Sequence, residues 1–296
     1  MNDKMGEIVM KKTICVECKD MEWLYVPNVM YHEYEETKRY LQLIIPYRQE
    51  WKENETYPLV IFIPGSAWYE QEMYNSIPAL SRLAERGFVV AALQYRESTI
   101  ARYPAQVEDV ERAVLFLLSK AEAFHIDPDR IFLAGNSSGG HIALMTAMRS
   151  ANGLKDAGGF AASMVKGVIA ESAPADLFMC AAEPIPAFMP EDFRPSRDLL
   201  GVDEITEEVE LAHEASCKMY IDKDTPLPPI LLLHGAEDRQ VSVRQSRYLY
   251  DLLMASGKNV VYWELERAGH GGAVFWSDTV LDIICEYLRR QGNSGE

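Results

Sequence analysis

The sequence predicts an α/β protein: a mostly parallel central sheet with helices on both faces. Two observations carry this. Short apolar runs rich in β-formers recur along the chain and end in turn residues, as in Tyr57–Ile63 followed by Pro64-Gly65. From residue 58 onward these runs alternate with segments of helical spacing, which is the order of a parallel sheet covered on both sides. The apolar and charged fractions, 48% and 25% of 296 residues, suit a globular chain with a full core.

Taken in order, Thr13–Val16 and Arg39–Pro46 are expected as an antiparallel pair of strands at one edge. The stretch between them, with Asn28 and Glu33-Tyr34-Glu35-Glu36, reads as turn or edge material. Tyr57–Ile63 is a buried strand. Ser76–Arg86 has helical spacing, and Gly87 supplies its C-terminal stop. Phe88–Leu93 is a second buried strand. Pro104–Phe124 is the clearest helix, with proline at its start and Val107, Val110, Ala113, Val114 and Leu117 on one stripe. Ile126–Asp129 is a turn into the strand Arg130–Ala134, and a helix follows at Gly140–Met148. Val168–Glu171, Ile230–His234 and Val260–Glu264 are further strands; Val243–Ala255 and Ala273–Arg289 are helices. No internal repeat or low-complexity segment interrupts the pattern, so residues 1–296 are expected to form one domain. The alternation breaks only between Glu171 and Ile230, where Pro184, Pro186, Phe188, Met189, Pro190 and Phe193 are scattered through more than fifty residues. Loops of that length in compact domains are usually functional, so about 173–228 is expected to be a cap over a site.

Charge and cysteine usage exclude several function classes. A net charge of −16 argues against a nucleic-acid partner, and Lys11-Lys12 and Arg289-Arg290 are too short to act as basic patches. The segment Met1–Glu7 lacks an apolar signal core, and no long uncharged apolar stretch occurs, so neither a signal peptide nor a membrane span is expected. Five cysteines, an odd number, suit a reducing compartment, and the expected location is the cytoplasm. Cys15 and Cys18 form C-x-x-C, but with no second pair or nearby histidine the spacing implies packing rather than a metal.

The chemistry centres on Gly135-Asn136-Ser137-Ser138-Gly139, placed where a strand ends and a helix begins. A serine on so sharp a turn is pushed out of the sheet, and flanking glycines let the backbone turn without a Cβ clash. A nucleophilic serine needs a base, a carboxylate to orient that base, and fixed N–H donors for the oxyanion. Among six histidines, His270 lies in the glycine-rich loop Arg267–Gly272 after the last strand, where α/β sheets keep their ligands. It is the candidate base. His141 sits one turn after Ser137 and reads as structural; His234 ends a strand and reads as holding the next loop. Glu237 and Asp238, after His234, are both candidate carboxylates. Oxyanion donors are expected from the N–H of Ser138, at the positive end of a helix, and from Ser66 or Ala67 in the loop after Tyr57–Ile63.

Together these residues resemble the α/β-hydrolase superfamily over nearly the whole chain from about residue 39. The chain is most similar to the branch with acetyl xylan esterases, feruloyl-type esterases and small lipase-like carboxylesterases. Tyr95-Arg96, Tyr103–Asp109, Ile126–Ile131, Gly135–His141 and His234–Asp238, with Val241, Gln245 and Ser246 after it, carry the resemblance. It implies that Asp238, last in His-Gly-x-x-Asp, is the acid. The branch usually has His-Gly-Gly-Gly-Trp at the oxyanion loop; here Pro64-Gly65-Ser66-Ala67-Trp68 stands instead. Backbone N–H groups survive that change, while Cβ atoms narrow the approach and any positive φ there would be strained.

The reaction so implied is ester hydrolysis through an acyl-enzyme without metal or organic cofactor. The first-choice substrate is a short-acyl ester of a carbohydrate, with Trp68, Tyr69, Phe188 and Trp276 as candidate stacking residues. The partner is thus a small-molecule or oligosaccharide ester. A feruloyl or aryl esterase, a formamidase, a prolyl-oligopeptidase-like peptidase and a non-catalytic binding protein on the same scaffold are the alternatives.

Overall fold

A computed structural model describes residues 13–16, 21–35, 37–48, 55–154 and 157–292. Eight strands form its sheet: β1 (Glu22–Glu33), β2 (Lys38–Tyr47), β3 (Tyr57–Ile63), β4 (Val89–Leu93), β5 (Ile126–Asn136), β6 (Val165–Glu171), β7 (Ile230–Gly235) and β8 (Val260–Leu265). Their spatial order is β1-β2-β4-β3-β5-β6-β7-β8. Strand β2 is antiparallel to both its neighbours, and the pairings from β4 to β8 are all parallel. The principal helices are α1 (Ile77–Ala84), α2 (Ala105–Ser119) and α3 (Ser138–Ala151), then α4 (Leu177–Ala182), α5 (Pro195–Leu200), α6 (Val209–Glu214), α7 (Arg244–Ala255) and α8 (Asp278–Gly292).

The central strands are apolar throughout because each face meets a helical layer. In β3, Leu59, Ile61 and Ile63 join the core beneath α2 and α3, while Val60 and Phe62 join the core beneath α1 and α8. Ile131 and Leu133 in β5 face the first core, and Phe132 and Ala134 the second. This period-two division follows from strand geometry alone. It leaves the strand ends, not the strand faces, as the place where polar chemistry can gather.

The structure revises five local expectations. Thr13–Val16 forms no strand and lies exposed; the edge strand is β1, and Cys18, Lys11 and Lys12 fall outside the described residues, as do Met1–Glu7. Asn28, a turn signal, sits inside β1 with φ 53°, at a register shift between Val26 and Val29. The Gln42 side chain holds that bulge by accepting from the Asn28 N–H at 3.1 Å and donating to Asn28 Oδ1 at 3.0 Å. Helix α2 stops at Ser119, and residues 120–125 turn back so that Tyr57 N donates to the His125 carbonyl at 2.8 Å. The turn at Ile126–Asp129 is a bulge within β5, where Asp127 Oδ1 accepts the Asp129 N–H at 2.9 Å. The helix expected over Ala273–Arg289 is split: a 3-10 turn at Ala273–Trp276, extended Ser277, then α8. Ser277 Oγ accepts the Val280 N–H at 3.4 Å, so the serine caps a new helix rather than continuing an old one.

Candidate active site

Ser137 stands between β5 and α3 with φ 52° and ψ −127°, a conformation that L-residues avoid. Two features hold it there. Its N–H donates to the Glu171 carbonyl at the end of β6, at 2.7 Å. The glycines on either side let the turn pack: a Cβ on Gly139 would lie 1.9 Å from the Ile63 carbonyl oxygen, and one on Gly135 would lie 2.5 Å from Gly139. The elbow is therefore wedged between the ends of β3 and β6. Ser172, next after Glu171, also has positive φ, 47°.

His270 follows β8, and its Nδ1–H donates to Asp238 Oδ2 at 2.7 Å. That bond fixes the tautomer that leaves Nε2 free to accept a proton. Asp238 follows β7 and its side chain is fully buried. Its Oδ1 accepts the N–H groups of Gln240 (2.8 Å) and Val241 (3.0 Å). Burial acts to raise the Asp238 carboxyl. Hydrogen bonds from His234 and His270, the charge of His270 and the Val241 N–H outweigh it and hold the group well below the usual carboxylate range. Glu237 is exposed, and the carboxylate on His270 Nδ1 is that of Asp238.

His234 does more than hold its loop. It is fully buried, its Nε2 lies 3.0 Å from the Val241 carbonyl and 3.2 Å from Asp238 Oδ2, and its Nδ1 lies 2.7 Å from Ser246 Oγ. With two acceptors at Nε2, the proton resides there, so His234 donates to the same carboxylate oxygen as His270. Sequence reasoning missed this second histidine; the four-residue spacing of His234 and Asp238 is the signal that could have found it. His141 is structural as expected: Nε2–H donates to the Ala215 carbonyl at 2.8 Å, and Nδ1 accepts the Trp68 indole N–H at 3.2 Å. Burial pushes its pKa down to about 4, with the Ala215 bond opposing.

Ser137, Ser138, Ala67 and His270 line one cavity of about 210 Å³. The segment between β6 and β7 supplies much of the remaining wall, through Pro184, Ile185, Pro186, Met189 and Phe193 together with Glu183, Arg194 and Arg197. Ala67 and Trp68 have φ of 54° and 61°, so the loop does require positive φ at residues that bear Cβ atoms. The Ser66 N–H is already committed, donating to Ser138 Oγ at 2.9 Å. This removes Ser66 from the candidate oxyanion donors and leaves Ala67, with Ser138 at the first turn of α3.

The four aromatic residues expected to stack on substrate are placed otherwise. Trp68 is buried, 3% exposed, and its indole is spent on His141. The Tyr69 hydroxyl bonds Asp198 of α5, Phe188 is 62% exposed, and Trp276 packs on Phe62 at 5.8 Å between centroids. Of these only Trp68 borders the cavity.

Strand order, elbow and strand-end site together define the α/β-hydrolase fold. The BD-FAE family model matches residues 45–253, and the chain belongs to that family. Esterase LipQ of Mycobacterium tuberculosis is 28% identical over 251 residues, covering 78% of this chain and 55% of LipQ. The probable carboxylic ester hydrolase LipM of the same organism is 30% identical over 229 residues, 73% of this chain and 49% of LipM. Isoprenylcysteine alpha-carbonyl methylesterase ICME of Arabidopsis thaliana is 27% identical over 261 residues, 80% of this chain and 57% of ICME. The chain thus spans about half the length of the curated relatives it matches. Among solved structures, a truncated carbohydrate esterase from gut microbiota superimposes with a TM-score of 0.78 at 24% identity, over 94% of this chain and 99% of that one. Esterase Est2 of Thermogutta terrifontis, propionate-bound, gives 0.70 at 21%, over 91% and 95%. Among the described residues no helix is long and apolar enough to cross a membrane.

Proposed function

We propose that the protein is a serine carboxylic ester hydrolase acting through an acyl-enzyme on short-acyl esters, with a carbohydrate acetyl ester as the first-choice substrate. The observation that carries this reading is the Asp238–His270 hydrogen bond at 2.7 Å, made by a buried carboxylate to a histidine that lines one cavity with a serine on a strained elbow. Ser137 Oγ attacks the ester carbonyl as His270 Nε2 takes its proton. Asp238 stabilises the imidazolium, and the N–H groups of Ala67 and Ser138 receive the oxyanion. His270 then protonates the leaving alcohol and activates water for the second half-reaction. The cavity supports a short acyl group, since about 210 Å³ must hold the acyl and much of the alcohol. Glu183, Arg194 and Arg197 on its wall are hydrogen-bonding partners for a polyol alcohol. The relatives named as esterases support the reaction class.

The apolar part of the wall, Pro184 to Phe193, favours a second reading, an aryl esterase. Rates on acetylated xylo-oligosaccharides, feruloyl esters and p-nitrophenyl acyl esters rank the two, and a proline dipeptide amide tests the peptidase alternative. Ser137→Ala is expected to abolish turnover of p-nitrophenyl acetate and labelling by a fluorophosphonate. Undiminished turnover in that variant removes the assignment, and an unlabelled wild type points to a binding protein on a hydrolase scaffold.

A further inference from the structure

The oxyanion loop departs from the expected His-Gly-Gly-Gly-Trp pattern, yet two consecutive N–H groups in it are held in register by the elbow itself. Gly65 N–H donates to Asn136 Oδ1 at 2.9 Å, and Ser66 N–H donates to Ser138 Oγ at 2.9 Å. Asn136 and Ser138 are the residues on either side of Ser137. Their side chains thus bracket the candidate nucleophile and consume the two N–H groups that precede Ala67. We propose that Asn136 and Ser138 are positioning residues that latch the loop to the elbow and so aim the Ala67 N–H at the oxyanion, an inference that rests on the ester-hydrolase reading above.

A buried hydroxyl relay completes the latch. Tyr95 and Ser138 are each 1% exposed, and Ser66 Oγ lies 2.8 Å from the Tyr95 hydroxyl and 2.6 Å from the Tyr69 carbonyl. The carbonyl can only accept, so Ser66 O–H donates to it and Ser66 Oγ accepts from Tyr95. The Tyr95 oxygen, 3.3 Å from Ser138 Oγ, is then left to accept the Ser138 proton. One proton arrangement satisfies every member, and Ser138 Oγ keeps a lone pair for the Ser66 N–H. Trp68 is anchored in turn by its indole bond to His141, and its carbonyl accepts the Ser98 N–H at 2.8 Å. Ala67 is thereby fixed on both sides. That explains how two residues with Cβ atoms hold positive φ in place of glycines: the fixed bonds on either side over-determine the conformation.

The test uses the full chain with p-nitrophenyl acetate as substrate and phenylboronic acid as a tetrahedral probe. Loss of one neutral hydrogen bond that aims an oxyanion donor is expected to lower kcat about tenfold in Asn136→Ala and in Ser138→Ala, with KM within about twofold. Boronate affinity is expected to fall by about the same factor, because only the tetrahedral species uses the aimed N–H. Ser138→Thr and Asn136→Asp restore an acceptor oxygen and are expected to recover most of kcat. Tyr95→Phe keeps the ring and breaks the relay, and carries the same expectation should an alanine variant fail to fold. Unchanged kcat and boronate affinity in folded latch variants of an active wild type overturn the latch alone. A wild type that hydrolyses no ester overturns the reading beneath it, and the latch with it.

Discussion

His141 makes the fold acid-labile by an amount that its environment sets. It is 1% exposed, accepts from the Trp68 indole and donates to the Ala215 carbonyl, so the site is built for neutral imidazole. Burial holds its folded pKa at about 4 against an ordinary 6.5. Between those values the unfolded chain takes up a proton that the folded protein refuses. Stability therefore falls as pH drops through this window, and the loss is complete below about pH 4. At about 1.36 kcal/mol per pH unit the full window costs about 3 kcal/mol, a sizeable fraction of a typical domain's stability. His141→Gln keeps a donor and an acceptor but cannot titrate. At pH 7 it is expected to be less stable than the wild type by about 1–2 kcal/mol through lost packing. At pH 4.5 that order reverses, the stability difference moving by about 2–3 kcal/mol. Urea unfolding followed by tryptophan fluorescence at the two pH values measures it, and other titrating groups cancel in the comparison between proteins. A difference that stays constant between pH 7 and pH 4.5 refutes the reasoning.

Three further outcomes follow from the same geometry. Asp238→Asn is expected to lower kcat by about three to four orders of magnitude while Glu237→Gln stays within about twofold, and the reverse ranking in p-nitrophenyl acetate kinetics moves the acid to Glu237. Gly139→Ala places a Cβ 1.9 Å from a backbone carbonyl, so a loss of more than about 3 kcal/mol is expected in urea unfolding; a wild-type midpoint refutes the wedge between β3 and the elbow. Glu171 is buried at the end of β6, and burial raises its carboxyl to about 8. Its unfolded form ionises first, so stability is lost as pH rises from about 4.5 to about 8. Glu171→Gln is expected to stabilise the protein by about 3 kcal/mol at pH 7 and not at pH 4, and an equal gain at both excludes titration as the cause.

What the sequence carried was mostly periodicity and order. The runs at residues 57–63, 130–134 and 230–234 are apolar because both faces are covered, so they were legible without any knowledge of partners. Ser137 and His270 stood out as candidates because each sits at a strand's end in a loop rich in glycine, whereas Asp238 stood level with Glu237 until the family resemblance singled it out. Asn28 misled because a turn-forming residue says that the chain bends locally and not whether a strand resumes, and the helical spacing over Ala273–Arg289 gave no sign of the break at Ser277. The aromatics misled for a different reason: Trp68, Tyr69 and Trp276 are satisfied by His141, Asp198 and Phe62, partners distant in sequence. Commitment of the Ser66 N–H to Ser138 was equally hidden, since it depends on two loops meeting 72 residues apart.

Ala67, Trp68, Ser137 and Ser172 all hold positive φ at the ends of three neighbouring strands. At about 1–2 kcal/mol each, these conformations withhold about 4–8 kcal/mol from folding, comparable to the gain from burying two or three leucines. Selection for heat resistance and selection for turnover then act in opposite directions at the same few residues. A glycine at 67 relaxes the backbone and the aim of its N–H together. Directed evolution for thermal tolerance alone would therefore tend to erode this corner first, and improvements that preserve rate should come from the helices and the far ends of the strands.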